Sequence, residues 1–264
     1  MTRKKPTVMD LRALKGRGQL TMLRVFTLDE AAAAEKAGID VVSVPPELVS
    51  HPDYRRVAPS LFSMTGMDHR SAGTREDYLR FAGKMMVAGA DAIYSSGSLA
   101  TIRFLTDEHI PVVGHVGLVP SRHTFTGGFK AVAKTAAGAQ ALLDEVRAYE
   151  AAGAFAVEIE VVPAEVAAAI SARVGILLWS MGAGPGCDAQ YLFSEDILGE
   201  NRGHMPRHAK VYRNFAAEYD RLQHERVAAY AEFIADVASG AFPEDRHLVK
   251  MDPAALQEFL DGLS

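Results

Sequence analysis

The chain has 264 residues, 48% of them hydrophobic and 23% charged, with a net charge of −5. That is globular composition with ample material for one large core, and it carries no basic footprint for nucleic acid or an anionic membrane. The single cysteine, Cys187, excludes an internal disulfide and fits a reducing, cytoplasmic setting. No run approaches the length of a membrane span, and the basic opening MTRKKPTVMDLRALKGRG lacks the apolar stretch of a signal peptide.

In chain order, β-rich runs fall at 20–26, 39–44, 60–65, 91–95, 110–115, 154–161, 175–180 and 190–193. Helical patterns at 29–37, 75–88, 99–107, 136–152 and 164–172 lie between them. The phrases KAGID, VAGAD and AAGAF precede three of the strands. Each puts a glycine at a helix C-terminus, where a left-handed cap residue belongs. Eight strands alternating with helices predict a parallel sheet closed into a (β/α)8 barrel, with 1–264 as one domain. One crossover is defective. The segment PPELVSHPDYRRVAP, 45–59, is short and proline-rich, so a loop with a single turn is expected there. From His204 the chain changes character: 206–240 is helical in pattern, interrupted near Phe215, and a last helix follows at 253–260. Residues 204–264 therefore read as a helical C-terminal extension, which either caps the same barrel or packs on a partner subunit.

The run FAVEIEVVPAEV holds two carboxylates among apolar β-formers. Side chains alternate along a strand, so Phe155, Val157, Ile159 and Val161 share one face and Glu158 and Glu160 the other. A barrel's outer face packs on helices, so the polar face looks inward, and Glu160 lies nearest the C-terminal mouth where barrel enzymes keep their chemistry. The competing role for Glu160 is a salt bridge inside the barrel; Glu158, lower down, reads as structural. By the same alternation Tyr94 and Ser96 share a face of the fourth strand. His115 stands at the end of the fifth, either as a satisfied core histidine or as a catalytic one. Together Glu160, His115, Tyr94 and Ser96 define a candidate site. The turn SMGAGPGCD, beginning at Ser180, is either a glycine-rich turn or an anion cradle built from backbone N–H groups.

PVVGHVGLVPSRHTFTGGFK, AAGAFAVEIEVVPAEVA, SMGAGPGCDAQ, GHMPRHAKVY and GAFPEDRH, with the opening LRALKGRGQLTML, keep a motif order. That order resembles the ketopantoate hydroxymethyltransferase family. The resemblance covers nearly the whole chain; it is specific from Pro111 to His247 and poor from Phe26 to Ser96. It implies a barrel of the phosphoenolpyruvate mutase and isocitrate lyase type. It also implies transfer of a one-carbon unit from methylenetetrahydrofolate to 3-methyl-2-oxobutanoate, a Mg2+ ion that holds the 2-oxo acid, and a homo-oligomer, in the family a decamer. By the same resemblance Glu160 corresponds to the base and His115 to a substrate contact.

The chain departs from the family at the metal. Where the family has two acidic ligands and a third acidic residue completing the shell, this sequence has Pro46, Gly66 and Ser96. Glu47 takes the place of a substrate-binding serine, and Tyr94 that of a lysine. The expectation is an aldol-type enzyme acting on a small carboxylate or carbonyl compound, with Glu160 and His115 catalytic. Tyr94, Ser96, Glu47 and Ser180 would bind substrate, without the family's Mg2+ site and with the cofactor otherwise unknown. The alternatives are a hydrolase or lyase with a different metal site, drawing on Glu47, Asp68 and His69 beside Glu160 or His115, and a non-catalytic carboxylate-binding homologue.

Overall fold

The computed structural model describes residues 3–67, 71 and 73–263. Eight parallel strands close into a barrel in sequence order. They are β1 (Leu20–Arg24), β2 (Val41–Ser43), β3 (Phe62–Gly66), β4 (Ala92–Tyr94), β5 (Val112–Gly117), β6 (Ala156–Glu160), β7 (Leu177–Met181) and β8 (Ala189–Phe193). The helices are α1 (Val8–Arg12), α2 (Leu28–Ala37), α3 (Pro46–Val49), α4 (Tyr54–Val57), α5 (Arg75–Ala88), α6 (Leu99–Asp107), α7 (His123–Thr126), α8 (Ala136–Ala151), α9 (Ala164–Ser171) and α10 (Ser194–Leu198), followed by α11 (Phe215–Ser239) and α12 (Pro253–Asp261). No helix is long and apolar enough to cross a membrane, among the described residues.

Local chemistry sets the helix ends. Thr27 Oγ1 accepts the Glu30 N–H at the start of α2, and Thr74 forms a capping box with Asp77 at the start of α5. The recurrent glycines Gly38, Gly89 and Gly153 adopt φ of 83°, 111° and 90° just beyond α2, α5 and α8, the left-handed cap expected of them.

The crossover between β2 and β3 is two one-turn helices, α3 and α4, not a single turn. Arg55 on α4 holds this abbreviated connection. Its guanidinium donates to the carbonyls of Ala58, Leu61 and Gly89 and pairs with Asp91 at 2.6 Å. It thereby satisfies backbone groups that a crossover helix would otherwise shield.

Two apolar layers result. Outside the strands, residues such as Val157, Ile159, Ile102 and Tyr149 pack strand against helix. Inside, the lower barrel is filled by Met22, Val41, Phe62, Met64 and Trp179. Phe155 belongs to this inner layer and not to the outer face, because it precedes β6; it packs edge-on to Phe62 at 6.0 Å and to Trp179 at 5.8 Å. With its base plugged, the barrel offers space only at the C-terminal ends of the strands.

Residues Met1–Arg213 form one compact unit and Asn214–Ser264 a second. In the second unit α11 begins only at Phe215, capped by Asn214; 206–214 is not helical as the sequence pattern suggested.

Gly114 on β5 lies against the ring of buried Tyr149, and a Cβ there would come within 2.4 Å of it. Gly114→Ala is expected to lower stability by about 1–3 kcal/mol through overpacking, read as a lower urea midpoint at unchanged m-value.

Candidate active site

The polar layer above the plug follows from strand parity. Leu20 and Met22 point into the barrel, so Arg24 does too; Ala156 points in, so Glu158 and Glu160 follow. With Ser43, Tyr94 and Tyr191 these residues and His115 line a cavity of about 350 Å³. β5 runs two residues further than the sequence suggested, to Gly117. His115 is therefore not at the strand's end but one layer down, in register with Glu158, while Gly117 is in register with Glu160.

His115 bridges the two carboxylates. Its Nδ1 lies 2.7 Å from the Tyr94 hydroxyl and 3.5 Å from Glu158 Oε2. Its Nε2 lies 3.1 Å from Glu160 Oε2 but off the line a hydrogen bond needs, so this buried nitrogen has no hydrogen-bond partner. His115, Glu158 and Glu160 are only 2%, 4% and 8% exposed. Burial pushes the Glu158 carboxyl from its ordinary 4.5 up to about 7; His115 opposes this and Glu160 adds to it. Burial, reinforced by Glu158, likewise holds the Tyr94 and Tyr191 hydroxyls above their ordinary value, so both remain neutral donors.

The backbone around Glu160 is tightly specified. Gly117 has φ 84°, and a Cβ there would stand 2.4 Å from the Glu160 carbonyl, which accepts the Leu118 N–H at 2.9 Å. Val161 adopts φ 48°, a conformation β-branched residues avoid and which costs about 1–3 kcal/mol. It is held by donating to Met181 O at 2.9 Å and by accepting from the Val132 N–H at 3.2 Å. Above Glu160 a second cavity of about 670 Å³ opens, lined by Lys130, Lys134, Arg207 and His208 and sharing Glu160, Met181 and Phe193 with the first.

Of the residues expected from sequence, Glu160, His115 and Tyr94 meet, with Ser96 near the Tyr94 hydroxyl, where it favours the ionised phenol against burial. Glu47 is exposed on α3 and does not line the mouth. Ser180 is in register with Ile159, on the helix-facing side of β7, and its Oγ accepts the Ala183 N–H at 3.1 Å. The glycines that follow serve packing: a Cβ on Gly184 or Gly186 would come within 2.4 Å of Ala164 or Ala168 on α9. Asp68 and His69 lie outside the described residues. Arg24, Ser43 and Tyr191 escaped the sequence reading, and Glu158, read as structural, belongs to the cluster. The missed signal was a charged residue closing the inner face of β1, in LTMLR.

The residues present do not fit the Mg2+ ion that the resemblance implies. Magnesium requires hard oxygen ligands, usually including carboxylates. Pro46 and Gly66 supply no side-chain oxygen and Ser96 only a hydroxyl. Gly66 has no room for an acidic side chain: a Cβ there would stand 2.7 Å from Tyr94 Cδ1 and 2.9 Å from Tyr94 O. Among the described residues no cluster of three or more His, Cys, Asp or Glu is placed to hold a metal.

Glu158 gives the site a pH signature. Between about 4.5 and 7 the folded state holds a proton that the unfolded state has released, so stability falls as pH rises through this window. Glu158→Gln, which cannot ionise, is expected to flatten that slope; chemical denaturation of both proteins from pH 5 to pH 8 measures the difference.

The family model for ketopantoate hydroxymethyltransferase matches residues 47–245. A 3-methyl-2-oxobutanoate hydroxymethyltransferase from Gluconacetobacter diazotrophicus is 34% identical, over 97% of this chain and 99% of its own. One from Halalkalibacterium halodurans is 35% identical, over 79% of this chain and 74% of its own. Among solved structures, phosphoenolpyruvate phosphomutase from Streptomyces platensis superposes with a TM-score of 0.51 at 16% identity, covering 98% and 96% of the two chains. 2,3-Dimethylmalate lyase, of the PEP mutase/isocitrate lyase superfamily, superposes with 0.50 at 15% identity, covering 94% and 93%. The solved structures establish the barrel type, and the relatives, each about a third identical and one matched along nearly the full length, go further: this chain belongs to the ketopantoate hydroxymethyltransferase family.

Proposed function

We propose that this protein makes or breaks a carbon–carbon bond next to the carbonyl of a small 2-oxo acid, with Glu160 as the general acid/base and without the family's Mg2+ site. The observation that carries this reading is the Glu160 carboxylate beside the unpartnered His115 Nε2, where the inner and outer cavities meet. A base must lie within reach of the proton it removes, and a 2-oxo acid in the inner cavity would present its C3 to Glu160.

In the synthetic direction Glu160 takes the C3 proton. The electron pair left behind delocalises onto the carbonyl oxygen as an enolate. His115 Nε2 is the open position facing that oxygen. When the neutral Tyr94 hydroxyl donates to Nδ1, the ring proton sits on Nε2 and meets the developing charge. C3 then adds to a one-carbon electrophile in the outer cavity, whose roughly 670 Å³ is in the usual range for small-molecule sites; the electrophile's C=X π pair moves to its heteroatom, which takes the proton from Glu160, and the substrate carbonyl re-forms. In the cleavage direction Glu160 takes the proton of that heteroatom, the C–C bond breaks to the same enolate as the C=X bond forms, and Glu160 returns the proton to C3. Methylenetetrahydrofolate is the donor that the family resemblance suggests for the outer cavity.

The test is hydrogen–deuterium exchange at C3 of 3-methyl-2-oxobutanoate, followed by NMR. Exchange is expected to proceed in chelator and to fall by about 10²- to 10⁴-fold in Glu160→Gln. Exchange that needs added Mg2+ would contradict the metal-free reading. Exchange untouched by the substitution would remove Glu160 from its role.

A further inference from the structure

The inner cavity holds two glutamates, yet the proposed substrate is an anion. A fixed positive charge is needed there, and among the described residues lining this cavity Arg24 is the one permanent cation. It closes the inner face of β1, and its Nη1 donates to Ser43 Oγ at 2.8 Å. Its guanidinium carbon lies 5.3 Å from the Phe26 ring centroid. Among the described residues it forms no ion pair, although it is partly buried. A guanidinium has five N–H donors in a rigid fork; Ser43 and the Phe26 face fix the plane of the fork and occupy one donor. The charge is felt across the cavity, where it lowers the Glu158 carboxyl against its burial.

We propose that Arg24, braced by Ser43, anchors the carboxylate of the substrate. The site then takes a planar monoanion next to a carbonyl, the 2-oxo acid class, by a fork of charge-assisted hydrogen bonds in place of a divalent cation. This rests on the aldol reading above for the identity of the substrate, but concerns binding and not proton transfer. Seated on Arg24, the carboxylate stands at the β1–β2 side of the mouth. The adjoining carbonyl and C3 then extend across the cavity toward His115 and Glu160.

The test compares the binding of 3-methyl-2-oxobutanoate with that of its neutral carboxamide, by calorimetry on the full chain in chelator. Wild type is expected to favour the acid by about 10- to 100-fold. Arg24→Gln is expected to abolish that preference while leaving the weak amide binding in place, with Arg24→Lys intermediate because a point charge lacks the fork. The preference is a ratio within one protein, so a general loosening of the fold does not imitate its loss. Circular dichroism confirms that each variant is folded. An acid preference undiminished in Arg24→Gln, an acid that binds only with added Mg2+, or a wild type that does not discriminate between the two compounds would overturn the proposal. Glu160→Gln separates the two readings: it is expected to keep the acid preference while losing exchange.

Discussion

Everything at the mouth of this barrel follows from placing two carboxylates on adjacent inward positions of one strand. Ionised carboxylates are expensive to bury. The protein manages Glu158 and Glu160 by setting an imidazole between them and by letting burial push the deeper carboxyl up to about 7, so that it is protonated only below that pH. The shallower one faces the two cavities, and the plug of Phe62, Phe155 and Trp179 fills the barrel beneath them.

Gly66 and Tyr94 constrain each other. Tyr94 could not lie where it does if residue 66 carried even a methyl group, because the added carbon would meet both the Tyr94 ring and its carbonyl. A side chain at 66 and the phenol at 94 therefore exclude each other. With glycine at 66, the Tyr94 hydroxyl reaches His115 Nδ1 at 2.7 Å and brings a neutral donor to the cluster. The short β2–β3 crossover on the same side of the mouth has its ends secured by Arg55.

The barrel was legible because its signals are periodic: strand runs, helix-capping glycines and the inward parity of Glu158 and Glu160 all repeat. Glu160, His115 and Tyr94 were found by parity, which needs only a strand and a direction. Depth was less accessible. Strand ends depend on neighbouring pairing, so His115 sits one layer lower than the sequence suggested. Ser180 and Glu47 failed to reach the mouth for a related reason. One falls on the helix-facing parity of β7, and the other sits on the exposed side of the one-turn helix α3. Arg24 was overlooked because a charge ending an apolar strand also reads as the start of a loop. Only closure of β1 against β8 shows that it turns toward the other polar groups.

The peptide that follows Glu160 is wound against its preference at Val161, and it is tied on one side to β7 and on the other to the stretch bearing Lys130 and Lys134. Replacing that valine with a residue at ease in the left-handed region would relax the chain. Because such a residue keeps the same left-handed φ and both backbone hydrogen bonds, the peptide would hold its course and the Glu160 side chain its direction. The strain at this joint is thus a reserve of stability that a hardier version of the barrel could recover without disturbing the carboxylate beside it.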